Sequence, residues 1–232
     1  MTSTLDILVF GAHADDAEIG MGGTIAKHVH AGYRVGVCDL THAEMSSNGT
    51  VELRSQEAAE ASSILGLSVR SNLGLPDRGL ELSSDYIAKI AAEIRSHRPR
   101  IVFAPYWVDR HPDHIACSRL IEEAVFNAKL RRYMPELPAV QVEQLIYYYI
   151  NDSDHVTFVV DVSEHYETKR KALMAYRSQF ESAGADADRV STPLTNRYVE
   201  RVEARDLLLG QAQGWQYAEG FTMKRPHAVS LF

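Results

Sequence analysis

Apolar residues fall along this chain in short runs that alternate with amphipathic stretches. Residues 5–10 form a mostly apolar run after a polar start, the pattern of a strand buried on both faces. The stretch IGMGGTIAKHVHAG then turns helical, and residues 33–40 supply a second apolar run. Thr50 is placed to cap a helix through VELRSQEAAEASSIL that stops at Gly66, and VRSNL reads as a short strand. In DYIAKIAAEIRSHRPRIVFAP, Ile87, Ile90, Ala91 and Ile94 share one helix face, and Pro99 closes that helix before a strand at 101–104.

Residues 144–150 and 156–162 read as two further strands, and the turn-like NDSDH between them predicts a hairpin at the sheet edge. Residues 166–176 and 198–211 read as helices. They flank the aperiodic stretch ESAGADADRVSTPLTN, residues 181–196, a candidate lid. Strand and helix alternating over short links predict an α/β fold: a Rossmann-like three-layer sandwich with a mainly parallel sheet and helices on both faces. No linker divides residues 1–232, which are read as one domain. Ligands of such sheets bind outside the carboxyl ends of the strands.

Composition narrows the partners. A net charge of -7 over 232 residues leaves no basic footprint for nucleic acid or an anionic membrane, so a small-molecule substrate is expected. The two cysteines, Cys38 and Cys117, make neither a disulfide framework nor a metal knuckle. No signal-peptide pattern or bilayer-length apolar run occurs, and a cytoplasmic protein is expected. GMGG is not a dinucleotide fingerprint, and its glycines are read as allowing close approach of helix, sheet or substrate.

Chemistry concentrates in two places. In VFGAHADDAEIG, His13 and Asp16 stand three apart at a strand-to-helix turn, close enough to grip one ion, with Asp15 beside it. A plain account competes: Asp15 or Asp16 caps the helix and His13 is a satisfied core residue. The second place, YWVDRHPDHIACSRL, follows another strand. Pro112 suits a first helical turn, which sets His111 near the N-cap and Asp113 and His114 just inside, with His114 able to supply a third ligand. Two His/Asp clusters at strand ends are hard to explain as two unrelated caps.

AHADDAEIGMGGTIAK and DRHPDH resemble the two signatures of the LmbE-like, GlcNAc-phosphatidylinositol de-N-acetylase superfamily of zinc-dependent N-acetylglucosaminide deacetylases. Ala14 stands where that signature usually has proline. DLTHAEMSSNGTVELRSQEA, NLGLPDRGL, RRYMPELP and YAEGF resemble the bacillithiol-biosynthesis branch, which deacetylates N-acetylglucosaminyl-malate. The resemblance implies His13, Asp16 and His114 as zinc ligands, Asp15 as general base, His111 as second catalytic group and Asp113 as its orienting partner. It also implies Arg54 and Arg110 as substrate-binding residues, Tyr198 as an oxyanion contact, and a homo-oligomer such as a hexamer. Two histidines and an aspartate suit ferrous iron as well as Zn2+. The alternatives are a deacetylase or amidase acting on another N-acetylglucosamine conjugate, and a non-catalytic sugar- or nucleotide-binding module.

Overall fold

A computed structural model describes residues 4–182 and 189–226. Strands β1 (Ile7–Gly11), β2 (Val35–Thr41), β3 (Val69–Leu75), β4 (Ile101–Pro105) and β5 (Gln144–Tyr148) alternate with helices α1 (Asp16–His30), α2 (Val51–Leu65), α3 (Ser84–His97) and α4 (Pro112–Ala128). Strand β6 (Phe158–Asp161), helices α5 (Tyr166–Ala175), α6 (Arg177–Phe180) and α7 (Tyr198–Gln211), and strand β7 (Ala218–Thr222) follow among the described residues. The seven strands form one sheet in the order β3-β2-β1-β4-β5-β7-β6. The first five run parallel, as the alternation predicts, and β7 pairs antiparallel with both β5 and β6.

Central β1 is buried at every position, and its alternate residues feed two cores. Ile7 and Val9 pack with Ile25 of α1, Ala61 of α2 and Leu173 of α5, while Leu8 and Phe10 pack with Ile90 of α3 and Leu120 of α4. Helices therefore cover both faces. Tyr148 belongs to the first core and Tyr147 and Tyr149 to the second, so the triple tyrosine is alternating strand packing within the chain. Cys38 and Cys117 are both fully buried.

The expected hairpin between β5 and β6 does not form; β7 lies between them. Burial accounts for the order. All five residues of β7 are buried, which suits an interior strand, whereas β6 is short and half-exposed, which suits an edge. Glu219 of β7 is buried because its carboxylate accepts from the Gly23 and Thr24 backbone N–H groups and from Lys169 Nζ at 2.6 Å.

Local signals shape the elements that carry the site. Thr50 Oγ1 accepts from the Leu53 N–H to start α2, and Gly66 ends it in the left-handed conformation at φ 70°. Helix α1 is kinked at Met21 and lies very close to the sheet: a Cβ at Gly20 would fall 2.1 Å from the Tyr148 ring, and one at Gly23 2.8 Å from Val162. Those glycines serve helix–sheet contact. No helix among the described residues is long and apolar enough to cross a membrane.

Candidate metal and catalytic site

The two His/Asp motifs meet at the carboxyl edge of the sheet. The turn after β1 carries His13, Asp15 and Asp16; the β4–α4 connection and first turn of α4 carry Asp109 to His114; Asp77 follows β3 and Asn151 follows β5. At the end of β2, Thr41 fixes the first turn by donating its backbone N–H and hydroxyl to the Ala12 carbonyl at 3.1 and 2.9 Å. Asp16 closes that turn by accepting the His13 backbone N–H at 2.9 Å.

Asp15 is then held at φ 121°, ψ -23°, a backbone conformation that side chains rarely adopt and that persists only where the surroundings enforce it. Its carboxylate caps nothing in α1; Oδ2 lies 3.2 Å from Arg54 Nη2, and Arg54 Nε donates to the Ala14 carbonyl at 2.9 Å. The plain capping account fails for Asp15.

Hydrogen bonding decides which imidazole nitrogens are left to bind. His114 Nδ1 lies 3.0 Å from Asp109 Oδ1, and a carboxylate there calls for Nδ1–H, which leaves Nε2 as the nitrogen that faces Asp16 Oδ1 at 3.1 Å. His13 Nε2 lies 3.2 Å from Asp77 Oδ1 and 3.5 Å from Asp113 Oδ2, which likewise leaves Nδ1 toward Asp16 Oδ2 at 3.6 Å. The second ring nitrogens of His13 and His114 thus address the two oxygens of Asp16. His111 is the N-cap of α4, and its Nδ1 accepts the Asp113 N–H at 3.2 Å, so a neutral ring carries its proton on Nε2.

Two overlapping groups of donors here lie close enough to hold a divalent cation. His13, His111 and His114 bring three ring nitrogens within 4.8 Å of one another, and His13, Asp77 and Asp113 form a second such trio. Burial pushes the Asp15 carboxyl up to about 7, with Arg54 opposing and Asp16 adding to the shift. Burial would also raise Asp16, but His114 and His13 pull it well below the usual carboxylate range. Burial disfavours a charged His114, yet Asp16 and Asp109 lift it to about 9, while His111 is lowered by its partial burial and by the two imidazoles beside it.

The remaining expected residues sit around a cleft of ≈ 260 Å³. Arg110 is exposed on its rim and donates from Nε to Asn151 Oδ1 at 2.9 Å; Tyr198 is buried, stacks on Phe180 and donates to the same oxygen at 2.9 Å. Asp113 is placed differently from its expected role. Its carboxylate accepts from the Arg78 N–H and Nη1 and faces His13, and it is the Asp113 backbone that contacts the His111 ring. Of the candidate lid, residues 183–188 lie outside the described residues; Thr192, Pro193 and Leu194 line the cleft, and Val190 is tied to Asn48 by two hydrogen bonds.

Sequence reasoning passed over Asp77, Arg78, Asp109 and Asn151. The rule that strand ends carry sites points to Asp77, two residues beyond β3, and Asp109 lies inside the second motif. Nothing local marks Asn151, whose amide joins Asp109, Arg110 and Tyr198 only once β5 is placed.

Known proteins share this arrangement's fold and sequence. The chain is 41% identical to the conserved protein TT1542 from Thermus thermophilus, with a TM-score of 0.89 over 97% of both chains. It is 29% identical to the diacetylchitobiose deacetylase of Thermococcus kodakarensis over 92% of this chain and 81% of that protein. It is also 29% identical to the Probable N-acetyl-alpha-D-glucosaminyl L-malate deacetylase 2 of Bacillus subtilis, over 75% of this chain and 83% of that one. Residues 8–125, which run from β1 through both His/Asp motifs, match the PIG-L family described as GlcNAc-PI de-N-acetylase, and the chain belongs to that family.

Proposed function

We propose that this protein is a metal-dependent deacetylase that hydrolyses the N-acetyl group of an N-acetylglucosamine conjugate. The observation that carries the reading is the buried Asp15, held in a strained turn between Arg54 and the His13–Asp16–His114 cluster. In this reading His13, Asp16 and His114 hold the metal, zinc being the first choice for two imidazoles and a carboxylate and ferrous iron the second. When bound, such an ion polarises a carbonyl and lowers the pKa of water.

The chain's own groups do the rest. Asp15, whose proton affinity burial has raised, accepts the proton of the attacking water as general base. His111 offers Nε2–H to the oxygen of the acetyl group as charge develops there, and Tyr198 lies on the same cleft. Asp15, now carrying that proton, returns it to the departing amine. Asp113 acts at one remove, through its backbone contact with His111 and its carboxylate near His13.

Arg110 on the rim, with Arg78 lining the same cleft, supports a conjugate whose aglycone carries a carboxylate, and N-acetylglucosaminyl-malate is the first such substrate to test. Similarity to a diacetylchitobiose deacetylase over most of the chain supports a second candidate, a neutral N-acetylated disaccharide. The homo-oligomer that the resemblance implies and the cytoplasmic location expected from the sequence belong to the same proposal, tested by sedimentation and by cell fractionation. The deciding assay is acetate release by the metal-loaded protein from both candidates, beside N-acetylglucosamine and a chelated control. Chelator-sensitive release from one conjugate supports the reading and selects the substrate. Metal binding without release from any of them removes the deacetylase.

A further inference from the structure

Arg54 lines two clefts. Besides the site just described it lines a second cleft of ≈ 210 Å³, walled by α2, by the carboxyl end of β2 and by Arg70 to Asn72 of β3, with Ala14 also in its wall. The side chain of Arg54 is only 8% exposed, and its hydrogen bonds are unevenly spent. Nε and Nη2 share the guanidinium edge that faces Ala14 and Asp15, while Nη1 projects from the opposite corner, is buried and meets no hydrogen-bond partner in the protein. The cleft's other arginine, Arg70, is engaged with both oxygens of Asp39 and with Glu18. Ser55 and Asn72 add polar groups to the walls. A buried guanidinium corner without an acceptor, beside a polar cleft, calls for an oxygen anion of small size.

The proposed reaction makes one. Water adds across the amide, the C–N bond breaks, the sugar nitrogen leaves as an ammonium group, and the acyl carbon leaves as a carboxylate. That carboxylate is formed next to Asp15, while the sugar still fills the outer cleft. We propose that the cleft behind Arg54 receives this released carboxylate, with Arg54 Nη1 as its recognition group. The inference rests on the deacetylase reading for the origin of the ligand, although the site itself can be examined without turnover.

Ser55 is exposed, lines the second cleft from α2 and contributes nothing to the catalytic cluster, so Ser55→Trp fills the cleft without touching that cluster. Acetate binding to the metal-loaded protein is measured by saturation-transfer NMR, and acetate inhibition by steady-state kinetics with a neutral N-acetyl sugar. Acetate is expected to inhibit even at saturating sugar, and S55W is expected to weaken both acetate binding and inhibition about tenfold while leaving KM for the sugar unchanged. Acetate that competes strictly with sugar and acts equally on S55W overturns the site. Malate runs as a parallel ligand: loss of malate binding with acetate unaffected assigns the cleft to the substrate's own carboxylate and overturns the proposal. If no sugar is deacetylated, the NMR arm still decides: S55W-sensitive acetate binding keeps the site, and its absence removes it.

Discussion

Arg78 grips the Asp113 carboxylate with both its backbone N–H, at 2.8 Å, and its Nη1, at 2.9 Å. Its φ of 59° is the left-handed conformation that turns both donors to the same carboxylate. Arg78→Ala removes the side-chain donor and leaves the backbone one. The expected outcome is a fall in kcat/KM of about tenfold, with the melting temperature nearly unchanged because the Arg78 side chain is half-exposed. Steady-state kinetics beside a thermal melt check it.

Asp15→Asn keeps the size of the side chain and removes the base. Asparagine tolerates positive φ, so the turn is expected to hold. Metal content should match the unsubstituted protein while kcat falls by roughly 10²–10⁴-fold. Metal analysis with kinetics tests this, and normal turnover would take Asp15 out of the mechanism.

Asp109 sets the direction of the His114 ring through the Nδ1 contact at 3.0 Å and also accepts from Asn151 Nδ2 at 2.8 Å. Asp109→Ala should weaken metal affinity by about 10–100-fold without abolishing it, whereas His114→Ala should lose the metal outright. Titration against a competing chelator separates the two; stoichiometric metal in the His114 variant reassigns the ligand.

Gly20→Ala tests the close approach of α1 to the sheet. The added methyl would meet the Tyr148 ring at 2.1 Å, and that ring is fully buried with its hydroxyl donating to the Phe10 carbonyl at 2.8 Å. Neither partner can yield cheaply. A loss of about 1–3 kcal/mol or more is expected, read as a lower denaturation midpoint.

Lys169, Asp206 and Glu219 are completely buried together, with Nζ 2.6 Å from each carboxylate. Lys169→Met strands two acids in the core and should cost about 3–5 kcal/mol. The triple change Lys169→Met, Asp206→Asn, Glu219→Gln removes the charges together and is expected to recover a large part of that loss. Chemical denaturation of both variants makes the comparison.

The sequence made legible those features whose causes are local. Thr50 and Gly66 bound α2, and His111 with Pro112 opens α4, because capping depends on a few neighbouring residues. Both His/Asp motifs could be placed at strand ends for the same reason. The place of β7 was hidden, since AEGFT holds a glycine and an acid, and partners far away in the chain, the Gly23 and Thr24 N–H groups and Lys169, make that acid acceptable in a core. The attachment of Asp113 to Arg78 was hidden too, because it spans 35 positions and depends on where the loop after β3 comes to rest.

The position of β7 bears on how the chain is made. Its register partners are Tyr147 and Tyr148 on one side and Phe158 to Asp161 on the other, all synthesised well before it, as the pairing of Phe158 with Phe221 shows. Until β7 leaves the ribosome, β6 has no strand to join and Lys169 lacks one of its two acids. The five-stranded parallel part can order first, while β6 and β7 await a long loop closure. Chaperone demand and aggregation risk therefore fall in that interval, when β5 presents an open edge.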